Sequence, residues 1–314
     1  MKRTILRRIV QILGVILPNS FFRGWTGDPQ IYQGKFKSIV APILNCYACP
    51  SAVVSCPVGS TQHFLAIRAI PFYVLGTVGF VGITLGRAVC GWVCPFGFLQ
   101  DIEFKLGRLL KLPHFKLPKW VGYGKFVFLI AFVIIAPLAT VKPIIDDETG
   151  VVMTYEDPET GKTKEVFEPG VTWFCKLCPQ GALQGGIPQV LINPQLKRLL
   201  SKNYTIKMII LGLLMIAFLM TKRPFCRGMC PLGAFLGLFN SISLLQFHVD
   251  SSKCNECRLC TYDCPVEHNI YISPNGHECI RCGNCLDKCK RDGVSVKTIF
   301  STAKNTINKQ TEPV

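Results

Sequence analysis

Long hydrophobic runs, acidic side chains and histidines are all scarce in this sequence, and each scarcity excludes something. The four uncharged runs, Ile9–Phe22, Ala69–Leu85, Phe126–Val141 and Met208–Thr221, lie near or below the roughly 20 residues a membrane-crossing helix uses. A chain made wholly of spanning helices is therefore excluded. Yet 49% hydrophobic residues and a mean hydropathy of +0.33 are too apolar for an ordinary soluble domain pair. Asp and Glu total 19 against 35 Lys and Arg, a formal charge of +16. The basic residues are scattered around apolar segments and form no single stripe, which argues against nucleic acid and for anchoring at membrane lipid headgroups. Of the five histidines, His114, His248, His268 and His277 show no ligand spacing, and His63 beside Gln62 reads as a helix-end residue. There is no CxxCH for covalent haem, no glycine-rich nucleotide loop, no catalytic triad and no pair of catalytic carboxylates.

Cysteine, by contrast, is abundant: 17 residues, grouped as CxxC and CxxxC clusters, a pattern of metal ligation and not of a small disulfide scaffold. The last eight are written as one pattern twice, Cys254-x2-Cys257-x2-Cys260-x3-Cys264-Pro265 and Cys279-x2-Cys282-x2-Cys285-x3-Cys289. In this bacterial-type ferredoxin spacing each run gives three thiolates to one 4Fe-4S cluster, and its last cysteine crosses to the other. Cys254, Cys257, Cys260 and Cys289 are thus expected on one cluster, and Cys279, Cys282, Cys285 and Cys264 on the second. Zinc is the competing reading of CxxC pairs, but its sites separate two pairs by a longer spacer. Lys290 stands where the pattern usually has proline.

The other nine cysteines belong to an internal repeat. Cys-Pro-x-Gly occurs at Cys56, Cys94, Cys178 and Cys230, and the first three continue to a glutamine at a common offset: Gln62, Gln100 and Gln184. Each of these stations has a cysteine shortly before it: Cys46 and Cys49, Cys90, Cys175, and Cys226. With apolar runs between stations, the simplest origin is a duplicated half. Cys90, Cys94, Cys226 and Cys230 then emerge together on the ferredoxin side and supply the four thiolates of a third cubane. Cys46, Cys49, Cys56, Cys175 and Cys178 fall at the opposite face and predict a fourth, with one thiolate to spare. Disulfides compete for the outer five, and free thiols or zinc for the inner four. Arg87, Arg223 and Arg227 flank the inner stations, where they either raise a cluster's potential or anchor the topology. Trp92, between Cys90 and Cys94, is expected to shield the inner site or to anchor at the interface.

The expected fold is a mainly α membrane protein of about four transmembrane helices in two repeated halves, followed by an α+β two-cluster ferredoxin. A membrane domain spans 1–247, with an acidic outer hairpin at about 145–170; the ferredoxin spans 248–300 and a tail 301–314. No A-x-A site follows the first run and Pro18-Asn19 breaks it, so an uncleaved anchor is expected. Lys2, Arg3, Arg7 and Arg8, with Arg87, Lys105, Arg108, Lys111, Lys116, Lys119 and Lys125, favour the cytoplasmic side, which places both termini inside a plasma membrane. Lys197, Arg198 and Lys202 oppose this. The hairpin is expected from Val151–Tyr155 and Lys164–Phe167 around a turn at Asp157–Gly161. Residues 98–110 read as an interfacial amphipathic helix, and Gly76, Gly79 and Gly82 as a helix-packing seam.

Gly86-Arg87-Ala88-Val89-Cys90-Gly91-Trp92-Val93-Cys94-Pro95-Phe96-Gly97 and Phe225-Cys226-Arg227-Gly228-Met229-Cys230-Pro231-Leu232-Gly233, with the two-cluster tail, resemble the membrane polyferredoxins of the NapH, NosR and CcoG type. The resemblance covers most of the chain, apart from the acidic hairpin. It implies electron transfer between quinol or cytoplasmic donors and extracytoplasmic reductases, or assistance in metalloenzyme maturation. The large flavin-binding region of the NosR type has no counterpart here, so no covalent flavin is carried over. The expected function is a membrane-bound iron-sulfur electron carrier, a subunit of an oxidoreductase complex and not a stand-alone enzyme. Its expected partners are a ferredoxin, flavoprotein, quinol or reductase subunit. The alternatives are a transmembrane thiol-disulfide relay fed by the clusters, and a redox sensor or maturation factor.

Overall fold

A computed structural model describes residues 2–26, 31–144, 154–156, 163–165, 167–168, 170–200 and 202–298. Among these, two helices are long and apolar enough to cross a membrane, Val121–Ala139 and Lys202–Met220, 19 residues each, or about 28 Å at the α-helical rise. The first widens into a π-helical stretch at Phe128–Ile135. Both present apolar side chains outward, among them Ile130, Ile135, Ile209, Leu213 and Ile216. Outward-facing apolar side chains are what a lipid-facing surface requires.

The other two apolar runs form shorter elements. Phe72–Leu85 is a 14-residue helix between Pro71 and Gly86. Of its three spaced glycines only Gly82 is close-packed, where a Cβ would stand 2.7 Å from the Phe239 ring, while Gly76 and Gly79 face open space. The expected seam is thus a single contact. The run Ile9–Phe22 is not one helix. The chain is helical over Lys2–Ile16 and then breaks into 3-10 turns at Leu17–Asn19 and Phe22–Trp25, because Pro18 offers no backbone N–H. That first helix carries Ile5, Leu6, Ile9, Ile12, Leu13 and Ile16 on its exposed face and buries Arg7 and Gln11. Gln11 donates to the Gly91 carbonyl at 3.1 Å and Arg7 to Asn284 Oδ1 at 2.8 Å.

Each of the four Cys-Pro-x-Gly stations opens a helix: Pro57–Ala66, Pro95–Leu109, Pro179–Gly181 and Pro231–Leu238. The third runs on through a π turn at Ala182–Gly186 into Ile187–Ile192. Pro95–Leu109 includes the expected amphipathic segment and packs along Lys202–Met220. There Phe96 meets Phe218 and Phe225 edge to face at 5.6 and 4.9 Å. These fully buried rings pin the second station to the end of the long helix.

One core runs from Val40 and Val58 through Cys94, Phe96 and Leu236 to Val266, Ile280 and Cys282. The ferredoxin segment is therefore built into the same core as the membrane stations. A smaller core gathers Phe247, Ile270 and Cys279. It lies under an antiparallel ribbon of Leu245–Val249 and Val294–Thr298, in register Leu245 with Thr298 and Val249 with Val294. Two further ribbons mark the acidic segment: Thr154–Glu156 with Thr163–Glu165, and Lys142–Pro143 with Phe167–Glu168. Of the expected hairpin, the pairing of Thr154–Glu156 with Thr163–Glu165 is described, while Val151–Met153, the turn 157–162, Val166 and the tail 301–314 lie outside the described residues.

Candidate metal centres

The two ferredoxin runs share one backbone design. Glu256 and Arg281, then Arg258 and Gly283, then Glu267 and Asp292 hold equivalent positions, and all six have positive φ, between 48° and 82°. Alternating hands of this kind curl a loop and turn its amides inward, the arrangement of a backbone nest. Four residues past the last cysteine of each run an amide reaches its sulfur: His268 N–H to Cys264 at 3.4 Å and Gly293 N–H to Cys289 at 3.3 Å. Lys290 in place of proline leaves this geometry intact.

The ferredoxin thiols line two adjoining cavities. Cys254, Cys257, Cys260 and Cys289 line one cavity of about 160 Å³. Cys264, Cys279, Cys282 and Cys285 line a narrower one, with Cys260 between the two.

Every membrane station starts its helix in the same way. The cysteine is the extended residue just before the helix, with ψ of 109° to 129°, and the proline takes the first helical position. Proline suits that position because its missing N–H would have no partner there. At the last station the glycine, in the third helical position, donates its N–H to the cysteine sulfur, Gly233 to Cys230 at 3.3 Å. There the sulfur acts as the helix cap; at Cys56, Cys94 and Cys178 the side chain accepts no such bond.

Glycine is needed for a second reason. A Cβ would stand 2.8 Å from Arg87 Nη2 at Gly233, 3.1 Å from Arg223 Nη1 at Gly97 and 3.1 Å from Lys207 Nζ at Gly181. At three of the four stations a cation therefore lies against the helix start. At Gly59 the nearest atom is Cys175 Sγ, 3.6 Å away.

The two halves lock reciprocally. Arg87, three residues before Cys90, donates to the Cys226 carbonyl at 2.8 Å, and Arg223, three before Cys226, donates to the Cys90 carbonyl at 2.8 Å. They are 0% and 1% exposed, so neither anchors at a headgroup. Arg223 Nε and Nη2 bind Asp101 at 2.7 and 2.9 Å. Arg87 binds Glu278, which also pairs with the fully buried Lys125. Arg227 pairs with Glu267 at 2.7 Å, and Trp92 donates to the Arg281 carbonyl at 3.0 Å.

The station glutamines cross over too. Gln62 accepts from Cys175 N–H at 3.2 Å, Gln184 accepts from Cys46 N–H at 3.0 Å, and Gln100 Nε2 donates to Cys226 Sγ at 3.1 Å. The repeat predicted that these glutamines matter, but nothing in the sequence says that each serves the opposite half.

Cys90, Cys94, Cys226 and Cys230 are buried together. In the outer group Cys46, Cys56, Cys175 and Cys178 line a cavity of about 490 Å³. Cys49 does not line it; it lies beside Cys46 and near Lys37. All seventeen cysteines are free thiols. Burial pushes Cys94, Cys178 and Cys264 up to about 12 and Cys279 to about 11, so as bare thiols they hold their protons at neutral pH. Loading a metal must expel those protons. Among the described residues no three His, Cys, Asp or Glu side chains converge as ligands of a single metal ion. The donor set is sulfur throughout, ringed by N–H donors around cavities, and it fits an iron-sulfur cubane.

A family model described as a 4Fe-4S binding domain matches residues 69–113, 170–198 and 205–249. These segments take in Cys90, Cys94, Cys175, Cys178, Cys226 and Cys230 and stop short of Cys254. An uncharacterized protein of Methanocaldococcus jannaschii is 29% identical over 249 residues, 78% of this chain and 87% of its own. The ferredoxin-type protein NapH of Escherichia coli is 22% identical over 311 residues, 95% of this chain and 90% of its own. The regulatory protein NosR of Stutzerimonas stutzeri is 24% identical over 207 residues, 64% of this chain and 23% of its own. No solved structure matches the chain.

Proposed function

The chain is a membrane polyferredoxin of the NapH and NosR type, and from that premise we propose that it carries electrons along a line of four 4Fe-4S clusters between its ferredoxin end and its outer face. The observation that carries this reading is the continuity of the four thiol groups. Cys257 is exposed at the ferredoxin tip, and Cys260 lies between the two ferredoxin cavities. Cys282 then shares a core with Cys90, Cys94 and Cys230. At the far end, two consecutive residues, Leu44 and Asn45, lie near Cys94 and Cys56 respectively, so one short stretch of chain runs past both membrane cysteine groups.

Each cubane, when bound, supplies a one-electron couple. The chain's own residues do the rest. Cys254, Cys257, Cys260 and Cys289 hold the first; Cys264, Cys279, Cys282 and Cys285 the second; Cys90, Cys94, Cys226 and Cys230 the third; Cys46, Cys56, Cys175 and Cys178 the fourth. Cys49 is the spare thiol. Arg87, Arg223 and the station amides offset the thiolate charge, and the apolar core excludes water. In this reading the membrane part spans 1–247 with four crossings and both termini cytoplasmic, the ferredoxin spans 248–300, and a soluble redox protein meets the exposed Cys257 loop.

Anaerobic iron counting on the purified full chain tests the assignment. The intact protein is expected to hold ~16 irons, four per cubane. Cys90→Ser and Cys178→Ser should each lose one distinct spectroscopic signal, while Cys49→Ser keeps all of them. Unchanged iron in both of the first two variants would reject the membrane sites and leave their thiols for dithiol chemistry.

A further inference from the structure

Asn45 lies between the two membrane cysteine groups and is 0% exposed. Its Nδ2 and Oδ1 are both buried without a hydrogen-bond partner, and among the described residues it is the one carboxamide with neither atom satisfied. A buried amide left in that state destabilises the fold unless something in the working protein meets it. Asn45 lines the outer cavity with Cys46, Cys56, Cys175 and Cys178, and its backbone lies near Cys56. A sulfur-rich group filling that cavity is what could meet the carboxamide nitrogen, because ionised sulfur accepts and does not donate.

The inner group shows the same contact completed, since Gln100 Nε2 donates to Cys226 Sγ at 3.1 Å. In the outer group Gln62 has no amide proton aimed at a sulfur in that way: its nitrogen is spent on the Phe132 carbonyl at 2.7 Å and its oxygen on Cys175 N–H, while the Gln184 oxygen is taken by Cys46 N–H.

We propose that Asn45 is a positioning residue of the outer centre, its Nδ2 donating to a sulfur there and raising the potential of the cluster bound by Cys46, Cys56, Cys175 and Cys178. The inference rests on the outer assignment above. An N–H donor favours the more negative, reduced state of a cluster, so its removal makes the cluster harder to reduce.

The test is an EPR-monitored redox titration of the full-length protein carrying Asn45→Leu, set beside Cys178→Ser to identify the outer signal. With iron content retained, the outer signal is expected to move to lower potential while the other three stay at their wild-type values. Asn45→Ala, which removes the donor with a smaller side chain, should move the same signal in the same direction. If the leucine variant loses iron, the Ala variant alone decides. An outer signal at its wild-type potential in a loaded variant overturns the proposal, as does movement confined to the signal lost in Cys90→Ser. Should Cys178→Ser keep every iron, the outer assignment itself fails, a result distinct from an unmoved potential.

Discussion

Asp101 shows at the scale of one residue how this chain handles buried charge. Its carboxylate sits among Arg223, Arg8 at 3.2 Å and Arg7 at 3.6 Å. Burial alone would push that carboxyl up, but Arg223 first, then Arg7 and Arg8, outweigh it and hold it below the usual carboxylate range. A carboxylate with a depressed folded pKa lends stability above its unfolded value, near 3.9. That stability is lost as pH falls through the lower folded value. The protein should accordingly lose stability in acid below about pH 4. Asp101→Asn strands Arg223 and should cost about 3–5 kcal/mol at neutral pH, because one partner of a buried pair is left without compensation. It should also flatten the acid limb. Thermal unfolding in detergent between pH 3 and 7 measures both effects, and an unchanged acid limb would refute the role given to Asp101.

At the scale of the element, the unit is a helix started by a sulfur. At Cys230 the cysteine caps, the proline starts, and the glycine both donates to the cap and clears room for a cation, so three constraints fall on four consecutive residues. Glycine substitutions separate the last constraint from the others. Gly233→Ala sets a methyl 2.8 Å from Arg87 Nη2 and should cost about 1–3 kcal/mol by overpacking, with weakened retention of the inner iron. Gly59→Ala meets nothing closer than 3.6 Å and should leave iron and melting temperature near wild type. Equal losses in both variants would mean that the cation plays no part. The first helix obeys a different rule. Its polar face turns inward because Asp101, Asn284 and the Gly91 carbonyl wait there, and its apolar face is left outward.

Across the whole molecule, the long helix Lys202–Met220 runs between the two membrane cysteine groups. Lys207, near the start of Lys202–Met220, donates to the Cys175 carbonyl at 3.3 Å, and just past its end Arg223 braces Cys90. With the exposed apolar faces of both helices in lipid, the hairpin around 154–165 and the Cys257 loop should be reachable from opposite sides. Impermeant maleimide labelling of a cysteine placed at Thr163, against one placed at the exposed Tyr262, in sealed vesicles of defined sidedness checks this. Labelling of both from one side would refute the proposed crossing.

Thiol spacing was legible in the residues themselves, in the twice-written ferredoxin run and the four Cys-Pro-x-Gly stations. A cluster loop is a local object whose three sulfurs come from seven consecutive residues, so spacing alone constrains it. The boundaries of the apolar helices were less legible. The first run carries enough apolar residues for a span, but Pro18 ends its helix and the burial of Arg7 and Gln11 decides which face turns inward. The crossing of Gln62 and Gln184 to the opposite half and the burial of Arg87 and Arg223 as braces were decided only by the tertiary structure. Those contacts join segments more than a hundred residues apart. A basic residue beside an apolar run has the same sequence signature whether it faces a headgroup or a buried carboxylate, and only the packing of the two halves chooses between them.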